Sequence, residues 1–167
     1  HFLQELLRWN RQVNLTAIVD PAEAIEKHLV DSLLLIPFLG ATKTLLDMGS
    51  GGGLPGIPLL IAFPGLSVAS VDSVGKKISF QRHIKRLLEL GGLEPIKCRL
   101  ENLSEEFQQG RRFDLITARA FASLGQVAEK AVPWLAHDGK VLVMKGPEGR
   151  DEAIAAKKFL NSAGLCI

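Results

Sequence analysis

Cysteine is scarce, tyrosine is absent and neither sign of charge dominates in this chain of 167 residues. Two cysteines, Cys98 and Cys166, are too few and too far apart for a metal knuckle, a redox pair or a disulfide-stapled scaffold. Both are expected to be buried or inert thiols in a reducing cytosol, and no metal site is expected. Twenty basic residues against 18 acidic leave a net charge of +2, so global charge selects no partner. The lack of tyrosine beside eight phenylalanines excludes nothing by itself.

Long hydrophobic runs are scarce too. No charge occurs between Asp47 and Asp72, a run of 24 residues that is long enough to span a bilayer. Six glycines and three prolines interrupt it, which would break a lipid-exposed helix repeatedly. It reads as strand, glycine loop, short helix and strand. No basic segment leads an apolar stretch with a small-residue cleavage site, so a cytoplasmic protein without a signal peptide is expected. The opening at His1 and the close at Ile167 point to a chain trimmed at both ends.

What is present is the composition of a globular domain, 47% hydrophobic and 23% charged. A single domain is expected, with a helical cap over 1–40 and an α/β core over 44–167. Phe2, Leu3, Leu6, Leu7 and Val13 share one helical face. Asp20-Pro21 with Glu23 starts a second helix, expected to run to about Ile36 and stop at Pro37. Strands are predicted at 44–47, 67–72, 95–99, 113–118 and 140–145. Helices between them, at 57–62, 75–90, 123–132 and 151–163, imply βαβ units and a mostly parallel, doubly wound Rossmann-like sheet.

The informative stretch is Leu45-Leu46-Asp47-Met48-Gly49-Ser50-Gly51-Gly52-Gly53-Leu54-Pro55-Gly56. Glycines after a strand let backbone turn tightly and approach a ligand closely. The helix that follows offers unpaired N–H groups. Asp72-Ser73 ends the next strand, 19 residues after Gly53, where a carboxylate accepts ribose hydroxyls in sheets of this kind. A nucleoside-bearing cofactor across the strand ends is the direct reading.

Gly51 to Gly56 also satisfies G-x-G-x-x-G, so a nicotinamide-dependent oxidoreductase stays open, as does a non-catalytic cofactor-sensing RNA-binding module. Against nicotinamide stand Pro55 within the fingerprint, the lack of a second mononucleotide half, and Asp47, placed where it could meet a bound amine.

Trp9-Asn10, Asn14-Leu15-Thr16-Ala17-Ile18, His28-Leu29-Val30-Asp31-Ser32-Leu33, the glycine loop, Asp72-Ser73 with Lys76-Lys77, and Arg119-Ala120-Phe121-Ala122 occur in that order. Together they resemble the bacterial 16S rRNA guanine-N7 methyltransferases, the glucose-inhibited division protein B family, over almost the whole chain. The resemblance implies a class I methyltransferase fold, S-adenosylmethionine as methyl donor and a guanine of 16S rRNA, free or in the small ribosomal subunit, as acceptor. It places Gly49 and Leu54 against the cofactor, Asp72 on its ribose, Leu100 and Glu101 on adenine, and Arg119 near the methyl-transfer side. With Ser50, Gly51, Gly53 and Ser73 these make the expected cofactor set. Expected RNA contacts are His28, Lys76 and Lys145, beside a basic stretch from Lys76 to Arg99. Guanine N7 carries a lone pair and no proton, so no catalytic base is expected and direct in-line transfer suffices.

Overall fold

The chain opens with a cap of helices and continues as alternating strands and helices. In the cap, α1 (Phe2–Val13) ends at Asn14, whose left-handed φ of 53° closes the helix. Asp20 caps α2 (Pro21–Ala24) by accepting the Glu23 N–H at 2.8 Å, with Pro21 at the first helical position. A π-helical turn over Ile25–Val30 leads into α3 (Asp31–Leu33) and then α4 (Ile36–Leu39).

In the core, β1 (Thr44–Met48), α5 (Gly56–Ala62), β2 (Ser67–Asp72), α6 (Gly75–Leu87), β3 (Leu93–Lys97), α7 (Leu103–Glu106), β4 (Phe113–Arg119), α8 (Leu124–Ala131), β5 (Leu135–Met144) and α9 (Gly149–Ser162) follow. The computed structural model describes residues 1–107, 110–119 and 122–166. Ala120 and Phe121 of the Arg119–Ala122 run, and Ile167, lie outside the described residues.

All five strands run parallel in the order β3-β2-β1-β4-β5. Adjacent residues of a strand point to opposite faces. Leu45, Val68 and Leu115 therefore enter one core with Leu6, Ile57, Phe80 and Ile84. Leu46, Val71 and Ile116 enter a second with Phe107, Phe113, Val127 and Ala131. A parallel sheet covered on both faces requires such unbroken apolar runs. Because β2 and β3 build to one side of β1 while β4 and β5 build to the other, the chain reverses between β1 and β4. That reversal opens a crevice at the carboxyl ends of the strands.

Several boundaries differ from the sequence reading, each for a local reason. The second cap helix is not continuous to Ile36: the π-helical turn interrupts it, and Pro37 sits in the first turn of α4 instead of ending a helix. Proline is tolerated there because the first helical N–H groups have no intrahelical partner. β3 begins at Leu93 and ends at Lys97, with Pro95 inside it. As an edge strand β3 has no outer neighbour to miss the proline N–H. β5 begins at Leu135, five residues early, and crosses an irregularity around Asp138, whose φ is 61°. α6 stops at Leu87, and Glu89 at φ 52° turns the chain. No helix among the described residues is long and apolar enough to cross a membrane.

Candidate active site

The loop from β1 to α5 is tied down from three directions. Ser50 N–H donates to the Val71 carbonyl at 2.9 Å, and the Ser50 hydroxyl donates there too at 3.2 Å. Gly51 N–H donates to Asp72 Oδ2 at 2.9 Å. The buried Gln81 amide of α6 donates to Ser50 Oγ at 2.8 Å and to the Gly51 carbonyl at 2.9 Å. Asp47, wholly buried, accepts the Gly56 N–H at 3.0 Å and the Thr117 hydroxyl at 3.0 Å. The loop is thus preformed, held by β1, β2, β4 and α6.

Two glycines serve different ends. Gly53 has φ 82°, and a Cβ there would stand 2.2 Å from Ile57 Cδ1, so its role is packing at the start of α5. Gly51, at φ 56°, would direct a Cβ into open space.

Beside this loop lies a cleft of about 500 Å³, lined by Gly49, Val71, Asp72, Ser73, Val74, Lys77, Cys98, Arg99, Leu100, Glu101 and Arg119. These residues follow the carboxyl ends of β1, β2, β3 and β4, where an open α/β sheet binds ligands. A second cavity of about 450 Å³ lies beside the open edge of β5, away from the glycine loop. Among the described residues no group of three or more His, Cys, Asp or Glu gathers to hold a metal.

Electrostatics differ sharply across the site. Burial pushes the Asp47 carboxyl up to about 6, against the pull of the Gly56 and Thr117 hydrogen bonds and of Arg119. Asp72 Oδ1 accepts the Val74 N–H at 2.8 Å, and Lys77 Nζ stands 3.7 Å from Oδ2. Glu101 pairs with Lys130 of α8, whose hydrogen bond holds its carboxyl below the usual range. Arg119 Nη2 donates to the Lys27 carbonyl at 2.7 Å and lies 3.4 Å from His28 Nδ1. Its Nη1 is buried with no hydrogen-bond partner among the described residues.

Of the residues expected from sequence, the cleft gathers Gly49, Asp72, Ser73, Leu100, Glu101 and Arg119. Ser50 is buried beneath the loop and Leu54 packs in the first core, so neither lines the cleft, and Gly53 faces Ile57. Asp47 is turned inward and is not open to an amine in the cleft. Two expected RNA contacts are engaged within the protein. His28 is only 4% exposed, because the π-helical turn carries it under the cap. Lys145 is held by Glu152 at 2.8 Å and by the Ala122 carbonyl. Lys76 remains exposed. Sequence reasoning missed Gln81 and Thr117; polar residues on otherwise apolar faces of α6 and β4 were the available signal. It also counted Arg99 in a basic stretch that RNA could meet and set Lys77 near the cofactor side, without naming either as a residue of the cleft wall.

The family model for GidB, rRNA small subunit methyltransferase G, matches residues 1–165. The chain belongs to this family. It is 48% identical over 164 residues to ribosomal RNA small subunit methyltransferase G of Syntrophotalea carbinolica, covering 98% of this chain and 75% of that protein. Identity to the protein of the same name from Geobacter sulfurreducens is 45% over 166 residues, covering 99% and 76%.

Solved structures agree on the fold. Precorrin-6y C5,15-methyltransferase from Geobacter metallireducens superposes with a TM-score of 0.62 at 11% identity, over 80% of this chain and 70% of that one. Coclaurine N-methyltransferase, bound to N-methylheliamine and SAH, gives 0.60 at 16%, over 77% and 37%. The fold of this rRNA small subunit methyltransferase G family member is the Rossmann-like class I methyltransferase fold.

Proposed function

We propose that this chain methylates N7 of a guanine in 16S rRNA, with S-adenosylmethionine bound in the cleft beside the glycine loop. The observation that carries the reading is the cleft at the point where the strand order reverses, beside a preformed glycine loop in a methyltransferase family member. Two features fit such a cofactor. Arg119 Nη1 offers buried N–H groups that want an acceptor, suited to a carboxylate. Asp72 spends one contact per oxygen on backbone amides and keeps lone pairs for hydroxyls. In this reading Asp72 and Ser73 hold the ribose, Leu100 and Glu101 flank adenine, and Gly49 and Arg119 face the amino-acid end. Ser50, Gly51, Gly53 and Leu54 act indirectly by shaping the loop.

When bound, the cofactor supplies an electrophilic methyl group on a sulfonium. Guanine N7 presents an unprotonated lone pair, so the protein needs to align and desolvate, and no side chain has to remove a proton. Exposed Lys97 and Arg99 rim the approach to the cleft and, with exposed Lys76 at the start of α6, supply the positive surface that phosphates require. The cap over 1–40 and the core over 44–167 work as one domain in the cytoplasm, where small-subunit RNA is made.

The test is transfer of labelled methyl onto small-subunit particles and onto naked 16S rRNA, with the modified nucleotide mapped by mass spectrometry. Methyl on guanine N7 is the expected outcome. Methyl on another atom or another RNA would refute the reading.

A further inference from the structure

We propose that His28 of the cap is a positioning residue, which aims the Arg119 guanidinium into the cleft; this rests on the reading of that cleft as the cofactor site. The cap itself contributes no residue to the cleft lining.

The connection runs through side-chain contacts from α1 to β4. The Asn10 side chain fastens the Thr16 backbone both ways, donating to its carbonyl and accepting its N–H, each at 2.9 Å. Thr16 Oγ1 accepts the Ile18 N–H at 3.1 Å and lies 2.8 Å from His28 Nε2. His28 Nδ1 lies 3.4 Å from Arg119 Nη2, which also donates to the Lys27 carbonyl. Arg119 thus has one nitrogen anchored to the cap while the other, Nη1, is buried and unpaired among the described residues.

Donor and acceptor logic orders this chain. A guanidinium only donates, so the ring nitrogen facing it serves best as an acceptor. That selects the neutral ring with its proton on Nε2, donated to Thr16 Oγ1. Burial, and then Arg119, lower the His28 pKa and keep the ring in that neutral state. The π-helical turn over Ile25–Val30 turns both His28 and the Lys27 carbonyl toward Arg119. Such turns recur at functional sites. A long arginine side chain fixed before binding does not lose its freedom during binding, which raises affinity without a new contact. The Asn10, Thr16 and His28 motif of the cap thereby acquires a task that neither RNA contact nor core packing explains.

Two conservative variants separate positioning from mere stability. His28→Asn keeps an acceptor near the Nδ1 position, whereas His28→Gln keeps a group near Nε2, toward Thr16, and loses the acceptor facing Arg119. Binding of S-adenosylhomocysteine is measured by calorimetry on the wild type, H28N, H28Q, R119M, H28Q/R119M and D72A, each first checked for folding by thermal melt. H28Q is expected to weaken binding about five- to tenfold, the worth of one ordinary hydrogen bond. H28N should stay within about twofold of wild type, and H28Q should add nothing in the R119M background. Equal losses in H28N and H28Q, or an undiminished H28Q effect in R119M, would overturn the proposal. Unaltered binding in R119M with impaired binding in D72A would also overturn it while leaving the cleft as the cofactor site. Unaltered binding in both R119M and D72A would remove the cleft reading itself.

Discussion

Asp47 is the most stringent place to test the electrostatic account of the loop. It is wholly buried with its carboxyl pushed up to about 6 from an unfolded value of 3.8. A folded pKa above the unfolded one means that the native state binds the proton more tightly between those values. Stability contributed by Asp47 therefore rises as pH falls through about 6 and levels off below 3.8. One unit of pKa difference is worth about 1.4 kcal/mol, so the gain from this group between pH 7 and pH 5 is about 1.4 kcal/mol. His28 works in the opposite direction: its pKa is lowered, so its contribution is lost as pH falls below 6.5.

The two effects would blur in the wild type alone, and a difference experiment removes His28. Asp47→Asn keeps the shape, can still accept the Gly56 N–H, and can donate to Thr117 Oγ1, but it does not titrate. Urea unfolding of wild type and Asp47→Asn at pH 5, 6 and 7 should show the wild type gaining about 1.4 kcal/mol on the variant as pH falls from 7 to 5. Parallel curves over that range would refute the assignment of a raised, buried carboxyl at Asp47.

Other consequences follow from the same geometry. Gln81→Leu removes the two hydrogen bonds to Ser50 and Gly51; it should cost about 1–2 kcal/mol of stability. Amide exchange at Gly51 to Gly53 should accelerate beyond the global change, and an unchanged local pattern would show that the loop does not depend on α6. Gly53→Ala should destabilise by about 1–3 kcal/mol in thermal melts, since the new Cβ meets Ile57 at a positive φ. Gly51→Ala meets only open space and should cost less; equal losses would contradict the packing role of Gly53. Single-turnover methyl transfer at saturating cofactor should be flat from about pH 7 to 9, because an unprotonated acceptor needs no base. A rising limb in that range would point to proton abstraction and a different acceptor atom.

Much of this molecule is readable one segment at a time. Paired apolar residues such as Leu45-Leu46 and Val68-Ala69 mark strands buried on both faces, since a period of two leaves one of each pair on either side. Asp20-Pro21 marks a helix start, and consecutive glycines after a strand mark a ligand-approaching loop, because both depend on local backbone sterics and hydrogen bonding. Asp72 was legible for the same reason, while Gly49, Leu100, Glu101 and Arg119 were implied by the family resemblance and agree with it in position: each ends or follows a strand, and parallel strands bring their carboxyl ends to one edge. What local pattern could not decide was the direction in which polar side chains turn. Asp47 lies inward because Gly56 and Thr117, nine and 70 residues away, supply its partners. His28 left the surface because a π-helical turn rotated it toward Thr16 and Arg119, and Lys145 was captured by Glu152 and a distant carbonyl. Pro95 sits within β3 because that strand is the sheet edge, a fact of strand order and not of its own residues. Burial of a polar group depends on partners brought together only when the sheet closes, so tertiary structure alone decided which polar side chains turn inward and which are held by distant partners.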